Sequence, residues 1–197
     1  MSARREGSRT RRAPFRQPNR QIVVVCGGVR TEPCYLRALV GRHRNPALRI
    51  KVIGKGDDPA SLVEYAVSAL GRELADLDEA WCVFDVDEFV LDGAVQRAKA
   101  AGVRLAVSNP CFELWLLLHY EDCRAEVDGA RDALRRLRRH VPTYDKTQLD
   151  FVSFADGVTA ATARARQLDD GADPPGPNPS SGMWRLVELI RKEGAPR

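Results

Sequence analysis

Trp81-Cys82-Val83-Phe84-Asp85-Val86-Asp87-Glu88 is the stretch whose reading decides the fold. Four residues that favour burial break into three carboxylates within four positions. A short apolar run of this kind, closing abruptly in charge, reads as a strand buried on both faces that delivers acids to its carboxyl end. In an open α/β sheet that edge is where ligands bind. Side chains at i and i+2 of an extended chain point the same way, so Asp85 and Asp87 are placed to share one hard cation. The competing reading is that these acids solvate a loop and cap the next helix.

The segments on either side give this strand its companions. Ile22-Val23-Val24-Val25-Cys26 is a β-branched run of strand length, followed at once by Gly27-Gly28, a pair that lets the backbone turn sharply and be approached closely. Thr31 is expected to cap a helix carrying Glu32 and Pro33 in its first turn, with Leu36, Leu39 and Val40 on a buried face. Leu48–Ile53 alternates as a second, less buried strand. Gly54–Pro59 leads into a helix through about Leu74, with Lys55 read as a solvated loop lysine or a phosphate contact. Asp92 is expected to cap a helix to Ala101, stopped by Gly102. Val103–Val107 is a fourth strand. The β-α-β-α-β-α-β order predicts a mainly parallel sheet of about four strands with flanking helices, in one domain over residues 21–193.

A helical part over 126–193 completes that domain. Ser108-Asn109-Pro110 opens an apolar helix over Cys111–Tyr120 in which Glu113 is the lone carboxylate, favoured by the helix dipole or serving as a third ligand beside Asp85 and Asp87. His119 reads as a packing histidine. Val127–His140 is a helix with Leu134 and Leu137 on one side and Arg131, Arg135, Arg138 and Arg139 on the other, a stripe that reads as a solvated face or a track for a nucleic-acid backbone. Further helices are expected from about Asp156 to Leu168 and over Met183–Lys192, the latter with an apolar side available to a homodimer. Between them Pro174–Gly182 reads as a rigid, exposed connector.

Charge is unevenly distributed. The net +4 of the 197 residues conceals seven arginines against one acid in residues 1–20, so the remainder is net acidic. That arm has little to bury and reads as disordered, either solvated or gripping a polyanion through residues such as Arg12. Five cysteines without a Cys-x-x-Cys pair fit reduced thiols in the cytoplasm rather than a disulfide framework. The three histidines show no zinc-ligand spacing. No run approaches the ~18 apolar residues of a membrane span, and no signal-peptide core is present at the N-terminus.

Several segments together resemble the RloB-like family, encoded beside bacterial restriction and abortive-infection loci, whose core is similar to the Toprim fold. The resemblance rests on Cys26-Gly27-Gly28-Val29-Arg30-Thr31-Glu32-Pro33-Cys34-Tyr35, Phe84–Glu88, Ser108-Asn109-Pro110-Cys111-Phe112-Glu113-Leu114-Trp115, Tyr144-Asp145-Lys146 and Asn178-Pro179-Ser180-Ser181. It implies a Toprim-like α/β fold and a phosphodiesterase site. There Asp85 and Asp87 would hold Mg²⁺ or Mn²⁺, Glu32 and Glu113 would join them in catalysis, and Gly27, Gly28, Arg30, Asn109 and Lys146 would meet phosphate. The chain departs from the family's Cys-Glu-Gly at one position, where Gly27 replaces the acid or base. Either Glu32 or Glu113 supplies the missing carboxylate, or the fold is kept and the reaction lost.

Three functions follow as expectations. The first is a metal-dependent nuclease acting on DNA or RNA in phage defence. The second is a non-catalytic, nucleic-acid-binding or regulatory partner of a separate defence-system ATPase. The third, a small-molecule nucleotide binder, lacks any glycine fingerprint for phosphate.

Overall fold

The computed structural model describes residues 20–72, 77–86, 91–171 and 173–191. Asp87, Glu88 and Arg12 lie outside the described residues. The described elements run β1 (Arg20–Cys26), α1 (Thr31–His43), β2 (Leu48–Gly54), α2 (Pro59–Arg72), β3 (Glu79–Asp85), α3 (Asp92–Ala101), β4 (Arg104–Asn109), α4 (Phe112–Leu117), α5 (Gly129–His140), α6 (Val152–Ala155), α7 (Val158–Gln167), β5 (Ser180–Ser181) and α8 (Met183–Arg191).

The five strands are ordered β2-β1-β3-β4-β5. β1 to β4 are parallel, as their alternation with helices predicts, and β5 runs antiparallel to β4. Because β1 pairs with β2 on one side and β3 on the other, the strand order reverses between β1 and β3. The carboxyl ends of these two strands therefore flank the switch-point crevice of a parallel α/β sheet.

The sheet's alternation separates two cores. Ile22, Val24, Cys26, Trp81 and Val83 face α1, α4 and α8, packing against Tyr35, Leu36, Trp115 and Leu186. Val23, Val25, Ala80, Cys82 and Phe84 face α2 and α3, packing against Leu62, Ala66, Ala94 and Ala98. β1 and β3 are buried on both faces, which is why they read as unbroken apolar runs, whereas the edge strand β2 shows only partial burial.

Several expectations are corrected. Thr31 is the first residue of α1, whose N-cap Arg30 makes no side-chain capping bond, and Thr31 Oγ1 instead donates to the Lys146 carbonyl at 2.8 Å. Asp92 likewise opens α3 behind Leu91 rather than capping it. Asp58 does cap α2, accepting from the N–H groups of Ala60 and Ser61. The apolar helix around Trp115 is shorter than expected, the helix expected from about Asp156 to Leu168 is α7, and the short α6 before it was not foreseen. The Pro-rich connector is not simply exposed. Ser180 and Ser181 are buried against β4, where the Ser108 and Ser181 hydroxyls lie 3.0 Å apart. Nor is the apolar side of α8 exposed, because Met183, Leu186, Val187 and Ile190 are in the core. No helix among the described residues is long and apolar enough to cross a membrane.

His119 joins the helical part to α1. Its Nδ1 donates to the Phe154 carbonyl at 2.8 Å, and its Nε2 accepts from the Tyr35 hydroxyl at 3.2 Å. Burial lowers its pKa to about 4. The unfolded chain thus takes up the His119 proton first, and its contribution to stability, on the order of 3 kcal/mol, is present above pH ~6.5 and lost as pH falls toward 4. NMR titration is expected to find the His119 ring neutral down to pH ~5, and a midpoint at the ordinary histidine value contradicts this packing.

Gly157 packs flat on His119, where an added Cβ would come 2.7 Å from the His119 carbonyl oxygen. Gly157→Ala is expected to lower stability by about 1–3 kcal/mol. Gly41→Ala, with nothing within 4 Å of its Cβ on α1, is expected to raise it by about 0.5–1 kcal/mol. Chemical denaturation of both variants measures the contrast.

Candidate active site at the carboxyl edge of the sheet

Asp85 ends β3 on the same parity as Trp81 and Val83, so it belongs to the face covered by α1 and α4. Glu32 sits in the first turn of α1 and Glu113 in the first turn of α4. Both helices begin at the carboxyl edge, because each follows directly on a parallel strand. Three acids from three elements thus converge on one edge of one face, at the switch point.

Glu113 is almost wholly buried, and a buried carboxylate requires partners. It has two on one oxygen. Lys146 Nζ lies 2.9 Å from Oε1, and the Tyr144 hydroxyl donates to the same atom at 3.2 Å. Burial alone would lower the Lys146 pKa, but the bond and charge of Glu113, with Asp85 nearby, raise it. The ammonium therefore stays charged. Its loop is held over α1 by the Thr31 hydroxyl.

Glu32 is also buried. Burial raises its pKa first and the Glu113 charge adds to this, against opposing donors that include the N–H groups of Glu32 and Gly28. Its carboxylate fills the space beside Gly28, where an added Cβ would fall 2.0 Å from Oε2. Glycine at 28 is therefore a requirement of close approach, not of backbone strain.

Gly27 faces the opposite side. An added Cβ there would meet Phe84 Cβ at 3.3 Å and Leu62 Cδ1 at 3.4 Å, on the α2 face. A glutamate at 27 would therefore enter the crevice across from Glu32. The crevice, of about 420 Å³, is lined by Gly27, Gly28, Glu32 and Asp85 together with Asp57 and Asp58 from the loop before α2.

The other residues singled out from sequence fall as follows. Arg30 is exposed at the start of α1. Asn109 donates its side-chain amide to the Gly176 carbonyl at 2.9 Å, holding the connector. Lys55 pairs with Asp57 at 3.6 Å and lies over the Tyr65 ring. Tyr144 went unrecognised as a site residue; it reaches the same Glu113 oxygen as Lys146 from a turn-rich loop, and no local pattern marks it. Burial pushes the thiols of Cys26, Cys82 and Cys111 up, which leaves them protonated and unsuited as nucleophiles.

Among the described residues no three His, Cys, Asp or Glu side chains form a ready metal cluster. The donor set nevertheless suits a hard dication in kind. It is made of carboxylate oxygens, and Glu32 and Glu113 disfavour one another's charge, a repulsion that a cation relieves. Magnesium keeps several waters and needs only one or two protein carboxylates.

This geometry defines an α/β protein with an acid-lined crevice at the switch point of a mainly parallel sheet. The family described as RloB-like protein matches residues 22–190, and the chain belongs to that family. No curated protein and no solved structure matches it.

Since the folded state holds the Glu32 proton more tightly than the unfolded chain does, the charged form opposes folding at neutral pH, and this opposition fades as pH falls through the usual carboxylate range. Glu32→Gln, which keeps an acceptor for Gly28 N–H, is expected to melt above the wild-type protein at pH 7, with the gap closing toward pH 4. A variant that melts lower at pH 7 contradicts the buried-charge reading.

Proposed function

We propose that the protein is a magnesium-dependent nucleic-acid phosphodiesterase of Toprim type acting in phage defence. The observation that carries this reading is that Asp85 and Glu32 line the switch-point crevice while Glu113, paired with Lys146, lies near enough for both of their charges to act on Glu32. A mainly parallel sheet with a strand-end Asp at this position is what a Toprim-like core requires.

Asp85 and Asp87 would hold the metal, with Glu32 or Glu113 supplementing them. Bound there, Mg²⁺ would polarise a phosphoryl oxygen and stabilise charge developing in phosphodiester cleavage. Glu32, whose pKa burial raises, holds a proton more readily than a free carboxylate and so fits the proton-transfer role left open by glycine at position 27. Lys146 bears a charge that Glu113 orients, so it meets a phosphate as a point cation. Gly27 and Gly28 line the crevice without side chains of their own, and the Glu32 carboxylate occupies the space beside Gly28.

A second reading has its own support. Gly27 carries no acid, the Glu113 carboxylate is already met by Lys146 and Tyr144, and the described residues hold no three-ligand cluster. On that reading the chain is a non-catalytic, nucleic-acid-binding or regulatory partner of a defence-system ATPase, with the site kept as scaffold.

Purified protein incubated with DNA or RNA and Mg²⁺ or Mn²⁺ separates the two. The nuclease reading expects cleavage that Asp85→Ala abolishes and that Glu32→Gln lowers by about 10²-fold or more. Absence of cleavage with both metals and both polymers favours the partner reading, and in that case Gly27→Glu is expected to switch cleavage on.

A further inference from the structure

α5 carries a basic side, opposite its buried Ala133 and Leu137. Arg131, Arg135, Arg138 and Arg139 are all exposed on it. Arg135 is neutralised by Asp132, and Arg136, on the inward side, pairs with Glu121 at 2.6 Å. Arg131, Arg138 and Arg139 have no ion-pair partner within salt-bridge distance among the described residues. The three span about 12 Å of helix axis, at ~1.5 Å per residue, against ~3.4 Å between successive phosphates along one strand of a duplex.

The carboxyl end of α5 turns directly into the site. Val141 ends the helix, Tyr144 N–H donates back to the Val141 carbonyl at 3.0 Å, and Tyr144 and Lys146 then reach Glu113. Asp145 marks the junction. Its carboxyl is held below the usual range first by the Thr147 N–H and hydroxyl and then by the charges of Arg138 and Arg30. Arg138 at the end of α5 and Arg30 at the start of α1 thus both act on Asp145, next in sequence to the Lys146 that pairs with Glu113.

The acids themselves repel a polyanion. Binding must therefore be supplied by cations outside the crevice, and a set left unneutralised by neighbours along a line ending at the acids supplies it.

We infer that a nucleic-acid strand lies along α5, its phosphates on Arg131, Arg138 and Arg139, and enters the crevice past Arg30 and Lys146. This rests on the reading of the crevice as a phosphodiesterase site, but it is tested without cleavage. Full-length protein in EDTA binds a fluorescent single-stranded DNA oligonucleotide, or its RNA counterpart, and the slope of log K against log salt counts the phosphates neutralised.

Arg138→Gln/Arg139→Gln is expected to flatten the slope by about 1.5 and to weaken binding roughly tenfold at moderate salt, with Arg131→Gln flattening it further. A control removing equal charge from the far edge, Arg49→Gln/Lys51→Gln on β2, is expected to leave the slope unchanged. Equal loss in both double variants, no loss in either, or no binding by the native chain overturns the inference. An α5 variant that binds like the native chain sinks the track alone, and a native chain that binds through α5 without cleaving sinks the nuclease alone.

Discussion

A carboxylate that is 3% exposed has to be answered by a cation, and the structure around Glu113 follows from that requirement. Glu113 is placed by the turn from β4 into α4, in the α/β half of the chain. Its cation, Lys146, comes from the loop after α5, in the helical half. The loop is tied in turn to α1 by the Thr31 hydroxyl, and its Tyr144 reaches the same carboxylate oxygen. One buried charge thereby couples three segments. It also leaves Glu32, less than fully compensated nearby, with a raised affinity for a proton or a cation.

The acids meet because of strand parity and strand order. Parallel pairing of β1 with both β2 and β3 opens the crevice between two strand ends, and alternation along β3 turns Asp85 to the side where α1 and α4 begin. Shifting β3 by one residue would turn Asp85 toward α2, away from Glu32 and Glu113. The same alternation explains Gly27. A side chain at 27 would start against Phe84 and Leu62 at 3.3–3.4 Å, on the α2 wall, whereas Glu32 reaches the crevice from the α1 wall.

Much of this was legible in the sequence, for physical reasons that can be named. β1, β3 and β4 were readable because a parallel sheet covered on both faces demands continuous apolar runs, and Asp85 because it breaks such a run. Gly102 was readable as a helix stop, and it takes a left-handed conformation there. Thr31 and Asp92 were misassigned by one position, since the residue types that cap a helix also populate its first turn. β5 was not legible, because two serines become a strand only through pairing with β4 from more than seventy residues away. The Glu113–Lys146 pair was missed for the same reason: 33 residues separate them, and nothing local marks the contact.

The central claim is that the crevice gathers carboxylates for a hard dication. The most direct measurement is a crystal structure of the protein soaked in Mn²⁺, read through the metal's anomalous signal. The account predicts a peak between Asp85 and Asp87 with the carboxylate of Glu32 or Glu113 turned toward it. A protein that takes up no Mn²⁺ there, with Asp85 and Asp87 facing apart, contradicts it.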